Sequence, residues 1–153
     1  MEKLKAGNPA PAFEATDQDG NKRTLADYAG RKLILYFYPK DNTPGCTAEA
    51  CSLRDGRDEL RKMGFEVVGV SPDSEKSHRG FIEKQGLNFT LLSDPDKAVA
   101  KAYGVWGEKK FMGRTFMGIL RTTFVIDEKG MIERVFDKVR TKDHFEQIVE
   151  AYK

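Results

Sequence analysis

Cysteine occurs only twice in this chain of 153 residues, tryptophan once and histidine twice. So sparse a set excludes a disulfide framework, and with no second cysteine pair and with His78 and His144 isolated, a zinc site is not expected either. Long apolar runs are missing too. No window approaches the roughly 20 residues of a membrane-spanning helix, and the start, Met1 to Gly7, lacks the apolar stretch of a secretory leader. Charge of one sign is not in surplus: 26 basic and 24 acidic residues are interspersed and sum to +2, with no basic stripe for nucleic acid. No repeat, low-complexity tract or linker divides the sequence, so residues 1–153 are expected to form a single domain able to bury its own core. Together these absences point to a cytoplasmic protein, a setting in which disulfides tend to be transient and catalytic.

What the chain does have is both cysteines in one stretch, Phe37-Tyr38-Pro39-Lys40-Asp41-Asn42-Thr43-Pro44-Gly45-Cys46-Thr47-Ala48-Glu49-Ala50-Cys51. The apolar run Leu33 to Tyr38 before it reads as a buried central strand, and Thr47 to Met63 after it reads as an amphipathic helix. Cys46 is thereby expected at a strand-to-helix turn. Pro44 suits a helix start, because it has no N–H to leave unpaired. The first amides of a helix favour an anion, and a thiolate is one. An unperturbed cysteine is only about 3% ionised at pH 7, whereas a helix N-terminus or a nearby cation raises that fraction. Cys46 is accordingly a candidate nucleophile, against the alternative of a buried, inert cysteine. Thr43 can turn its hydroxyl toward the sulfur or a substrate oxygen, or cap the helix.

Taken in order, Phe13 to Thr16, a turn at Asp17 to Asn21 and a return strand ending near Leu25 predict a hairpin. Asp17, Asp19 and Asn21 echo a calcium loop, but its twelfth position is Tyr28 rather than a glutamate, so turn chemistry is the reading. In the helix after Cys46, Ala50, Leu53, Leu60 and Met63 are expected toward the core. Gly56 interrupts it, which predicts a first half that unwinds easily. Phe65 to Ser71 reads as a strand, Ser74 to Gln85 as a helix, Phe89 to Leu92 as a strand and Lys97 to Tyr103 as a helix. Trp106 to Gly118 reads as a glycine-rich loop whose aromatics pack locally. Thr122 to Ile126 and Ile132 to Val139 read as a hairpin, and Thr141 as the cap of a final helix carrying Phe145, Ile148, Val149 and Tyr152. The alternation of strands and helices implies an α/β protein with a parallel element in its sheet.

The spacing Pro39-x-x-x-Thr43-x-x-Cys46 resembles the active-site signature of the peroxiredoxins, and Thr43-Pro44-Gly45-Cys46-Thr47-x-x-x-Cys51 is similar to the bacterioferritin comigratory protein, or Q-type, branch. The likeness runs from Gly7-x-Pro9-Ala10-Pro11-x-Phe13 to the last helix. It implies a thioredoxin-like fold, with a central mixed sheet flanked by helices and an N-terminal β-hairpin. It also implies that Cys46 attacks a peroxide and that Cys51 resolves the sulfenic acid as an intramolecular disulfide. Arg121, in Gly118-Ile119-Leu120-Arg121-Thr122-Thr123, would complete the site and Pro39 would shape the pocket. From local sequence alone Arg121 reads rather as a surface ion pair, and only the resemblance reverses that; for Cys51 the alternative is a core cysteine. On one intact helix the two sulfur-bearing residues sit roughly 8–9 Å apart at Cα, beyond the about 4.4–6.8 Å of a disulfide, so the helix must open. The resemblance further implies hydrogen peroxide and organic hydroperoxides as substrates, thioredoxin or a similar dithiol as reductant and no cofactor, while two cysteines five apart in one chain, neither needing a partner subunit, predict a monomer. A general thiol–disulfide oxidoreductase is the first rival, though Cys-x-x-Cys is missing; a non-enzymatic redox sensor is the second.

Overall fold

The computed structural model describes residues 4–153. Met1, Glu2 and Lys3, the beginning of the segment read above as lacking a leader, lie outside the described residues. Nine strands and four α-helices follow. They are β1 (Glu14–Asp17), β2 (Lys22–Thr24), β3 (Lys32–Phe37), α1 (Pro44–Lys62), β4 (Phe65–Ser71), α2 (Glu75–Gln85) and β5 (Thr90–Ser93), then α3 (Ala98–Ala102), β6 (Trp106–Phe111), β7 (Arg114–Ile119), β8 (Thr122–Ile126), β9 (Ile132–Phe136) and α4 (His144–Ala151).

Seven strands form one mixed sheet in the order β2-β1-β5-β4-β3-β8-β9. β3 pairs in parallel with β4 and antiparallel with β8, so Leu33 to Phe37, buried throughout, need apolar side chains on both faces. One face of the sheet packs on α1, α2 and α4 through residues such as Tyr36, Leu53, Leu60, Phe81 and Ile148. The other packs on α3 and the N-terminal segment through Phe13, Tyr28, Phe37, Val99 and Tyr103. The predicted thioredoxin-like sheet between helices is what forms. The N-terminal hairpin forms as well, and its turn is held by Asp17, whose Oδ1 accepts from the amides of Asp19 and Asn21 while Oδ2 accepts from Arg23 Nε. Among the described residues, no helix is long and apolar enough to cross a membrane.

Four local expectations need correction. Trp106 to Gly118 is not a loop but the hairpin β6–β7, which pairs only with itself. Its two-residue turn places Met112 at φ 52° and Gly113 at φ 77°, the left-handed geometry that hairpins of this length require. Phe111, Met112, Phe116 and Met117 are exposed on it rather than packed, although Trp106 does pack on the core. Met63, expected inward, is 40% exposed because α1 has ended before it. Thr141 caps no helix; it opens a 3-10 turn that leads into α4.

Gly56 is the fourth correction. It is buried in α1, and a Cβ there would lie 2.0 Å from Phe145 Cδ1 on α4. The glycine is therefore an interhelical contact, not a weak point awaiting unwinding. In an exposed helix a change to alanine would stabilise by about 1 kcal/mol; here Gly56→Ala should cost about 1–3 kcal/mol, the usual range for overpacking. Urea denaturation measures this, and a midpoint at or above the parent value would mean that Phe145 moves aside freely.

Candidate active site

β3 delivers the chain to the carboxyl edge of the sheet, where Tyr38 and half-buried Pro39 lead into α1. Thr43 occupies the N-cap position, Pro44 is the first helical residue and Cys46 the third. Thus Cys46 lies within the first turn rather than before it. The first intrahelical bond runs from Thr47 N to Thr43 O, 2.8 Å, so the preceding amides point out of the helix end unspent. Thr43 does not cap them. Its hydroxyl donates instead to Lys40 O, 2.9 Å away, which leaves its oxygen lone pairs free to accept a bond from a ligand.

Arg121 stands in the link between β7 and β8, and it reaches across to α1. Its Nη2 lies 3.2 Å from Cys46 Sγ, and its Nη1 donates to Glu49 Oε1 at 2.6 Å. The guanidinium fork thus bridges a sulfur and a carboxylate. Burial works against the charge on Arg121, but Glu49 and Cys46 together outweigh it and hold the group cationic. Cys46 is itself only 2% exposed.

Glu49 was not singled out from the sequence, and it is the main addition to the site. Burial, opposed by Arg121, pushes its carboxyl up to about 7. Its Oε2 has no hydrogen-bond partner among the described residues, and His144 Nε2 stands 3.8 Å away. His144 in turn faces the Thr123 hydroxyl at 2.8 Å and Gln147 Oε1 at 3.0 Å, and burial pushes its own value down to about 4. The signal available in the sequence was an acidic residue one turn beyond Cys46, on the same helix face as Ala50 and Leu53.

These two groups give opposite pH dependences. Glu49, raised in the folded protein, contributes stability that is complete below its ordinary value and is lost as pH rises through about 7. His144, depressed in the folded protein, contributes stability that is complete above its ordinary value and is lost as pH falls through about 4. Replacing Glu49→Gln keeps the shape and removes the first effect. From pH 5 to pH 8, the variant should gain about 1–3 kcal/mol relative to the parent. Parallel stability profiles for the two proteins would mean that Glu49 stays ionised throughout.

Cys51 lies on the same intact helix, half-buried, and is a free thiol like Cys46. Its Sγ faces Gln85 Oε1 at 3.6 Å. The end of α2 then clamps α1 just beyond Cys51: Arg54 Nη1 donates to Gln85 O at 2.6 Å, and Asn88 Nδ2 donates to Arg54 O at 3.2 Å. The structure brings Cys46 and Arg121 together, places Thr43 at the N-cap three residues before Cys46 and Pro39 just after the end of β3, and keeps Cys51 on its own neighbours. Asp41, Asp73 and His78 offer ligand atoms within 4.8 Å of one another. Those oxygens already accept from Tyr38, Ser71, Ser77 and the Asp41 amide, a set of donors that suits a hydrogen-bonded cluster better than a cation.

The AhpC/TSA family model matches residues 6–135. Peroxiredoxin Bcp of Escherichia coli is 51% identical over 149 residues, covering 97% of this chain and 96% of the relative. A bcp relative from Haemophilus influenzae is 54% identical over 150 residues, covering 98% and 97%. The solved bacterioferritin comigratory protein of Xanthomonas campestris, described for its alkyl peroxide reduction activity, superposes with a TM-score of 0.88 at 37% identity, covering 95% of this chain and 96% of that one. Xylella fastidiosa PrxQ superposes with a TM-score of 0.92 at 33% identity, covering 99% and 97%. A cysteine bonded to an arginine in the first turn of a helix, on a thioredoxin-like sheet, agrees with both kinds of likeness, and the chain belongs to the AhpC/TSA family as a peroxiredoxin of the Bcp/PrxQ branch.

Proposed function

We propose that this chain, acting as one domain, reduces hydrogen peroxide and organic hydroperoxides through Cys46. The observation that carries the assignment is the 3.2 Å contact between Arg121 Nη2 and Cys46 Sγ at the N-terminus of α1. The thiolate attacks one peroxide oxygen, an S–O bond forms, the O–O bond breaks, and the second oxygen leaves as hydroxide or alkoxide and takes up a proton. Negative charge spreads from sulfur to the leaving oxygen, where Arg121 and the open amides of α1 stabilise it. Thr43 accepts from the peroxide O–H, and Pro39 shields the pocket.

Cys51 then attacks the sulfenic sulfur, so that an S–S bond forms and water leaves. An external dithiol of the thioredoxin type reduces the disulfide, and the protein works as a monomer in the cytoplasm. Because α1 is intact around both cysteines, resolution requires the turns from Thr47 to Leu53 to open. The clamp at Arg54 supports a boundary there.

One experiment tests this sequence of events. After one equivalent of peroxide, mass spectrometry should find a Cys46–Cys51 bond within single chains, and non-reducing electrophoresis should show no covalent dimer. Amides from Thr47 to Leu53 should lose hydrogen-exchange protection, while β3 keeps its own. A dominant dimer band would make the resolving step intermolecular, and unchanged protection would mean that no opening occurs.

A further inference from the structure

We propose that Asp41 and His78 form a buried pair that positions the loop bearing Thr43, and so sets the geometry in which Cys46 meets a peroxide. This inference rests on the reading of Cys46 as the peroxide-attacking residue. Both side chains are shielded from solvent, Asp41 at 4% exposure and His78 at 0%. Asp41 Oδ1 accepts from the Tyr38 hydroxyl at 2.6 Å. Its Oδ2 accepts from Ser77 Oγ at 2.7 Å and faces His78 Nδ1 at 2.7 Å. His78 Nε2 faces Leu92 O at 3.0 Å. A carbonyl can only accept, so Nε2 carries a proton, and a second proton lies between Nδ1 and Oδ2. Every polar atom of the pair is thereby used.

The pair ties three parts of the fold to one short loop. Tyr38 directly follows β3, Ser77 and His78 come from α2, and Leu92 comes from β5. Asp41 is also held from its backbone, since its amide donates to Asp73 Oδ2 at 2.7 Å, an oxygen that accepts from Ser71 Oγ as well. The next residue, Asn42, is left-handed at φ 65°, and Thr43 follows with its hydroxyl turned to Lys40 O. The direction in which Thr43 offers its lone pairs is thus fixed by how Asp41 is gripped. An apolar cluster could fill this space but could not set one orientation, whereas a satisfied buried network specifies it. Asp41 and His78 are therefore positioning residues that act through the loop. Their effect should fall on peroxide alone, because only that reaction needs Thr43 and the sulfur in register.

The test compares two reactions of the same thiol in the full chain: Cys46 with hydrogen peroxide, and Cys46 with iodoacetamide. In Asp41→Ala, the peroxide rate should fall about 10–100-fold, while the alkylation rate and its pH profile stay within about twofold of the parent. Asp41→Asn should restore the peroxide rate to within about fivefold, because its amide can donate to a His78 ring protonated only at Nε2 while its oxygen still accepts from Tyr38. Tyr38→Phe removes a single bond, keeps the ring, and should lower the peroxide rate about 3–10-fold with alkylation unmoved; it decides the matter alone if Asp41→Ala does not fold. The proposal is overturned if folded variants keep the parent ratio of peroxide to alkylation rates, if both rates fall together, or if Asp41→Asn is no better than Asp41→Ala. A parent protein whose Cys46 meets peroxide no faster than a free thiol would instead remove the peroxidase reading itself.

Discussion

Peroxide turnover should disappear when Cys46 is replaced by serine, down to the uncatalysed rate, while the fold should persist. A hydroxyl in place of the thiol is no nucleophile near neutral pH and cannot pass through a sulfenic acid. The exchange is nearly isosteric at a site only 2% exposed, and the serine oxygen can still accept from Arg121 Nη2, which lies 3.2 Å from the native sulfur. No buried donor is orphaned, so the thermal midpoint should stay within a few degrees of the parent value. Steady-state consumption of peroxide with an excess of dithiol, alongside a melting curve, checks both halves. Residual turnover that vanished only when Cys51 was also removed would transfer the nucleophile to Cys51.

Arg121→Ala should lower the rate of the peroxide step by about 10²–10³, the range for losing one preorganised donor to developing charge. It should also slow the alkylation of Cys46 by iodoacetamide, since the guanidinium 3.2 Å from the sulfur is gone. A second consequence follows from Glu49, whose Oε1 would lose the 2.6 Å bond that offsets its burial. The carboxyl would then be neutral over a wider range. Arg121→Lys separates these roles, because an ammonium is a point charge and cannot hold sulfur and carboxylate in one planar fork. Lysine should recover only part of the rate. An unchanged alkylation rate in Arg121→Ala would make the arginine a structural tie between α1 and the β7–β8 link.

The end of the molecule that carries Cys46 was legible because its determinants are local. An apolar run, a proline at a helix start and a cysteine in the first turn lie within about a dozen consecutive residues, and strand β3 and helix α1 follow from them. Arg121 could be named only through family likeness, since nothing near it in the chain points to a sulfur 75 positions away. Glu49 stayed hidden for the same reason. Its burial depends on Arg121 and His144, and an acidic residue on a helix ordinarily reads as surface. The β6–β7 hairpin was missed because its turn is Met112-Gly113 rather than an Asn-Gly or Asp-Gly signal, and its exposed side chains give no inward and outward alternation. Gly56 was misjudged because helix propensity is a local quantity, whereas its reason is Phe145, on a helix that arrives 89 residues later.

The clamp that α2 places on Arg54 makes the opening of α1 a question of time as well as shape. Local unfolding of a packed segment takes on the order of microseconds to seconds, against the seconds to hours of ordinary disulfide chemistry. On the proposed mechanism the oxidised sulfur would therefore sample its partner many times before it bonds. How long a sulfenic acid survives is then governed by the fraction of molecules open at any instant, not by how quickly they open. Each added 1.4 kcal/mol of grip on Thr47 to Leu53 divides that fraction by about ten and lengthens the interval in which a second peroxide can reach the sulfur. The opening segment is itself held by the Arg121–Glu49 bond and by Ser52 Oγ, which accepts from Phe145 N, so on the proposed mechanism these contacts would set the length of that interval together with the clamp at Arg54.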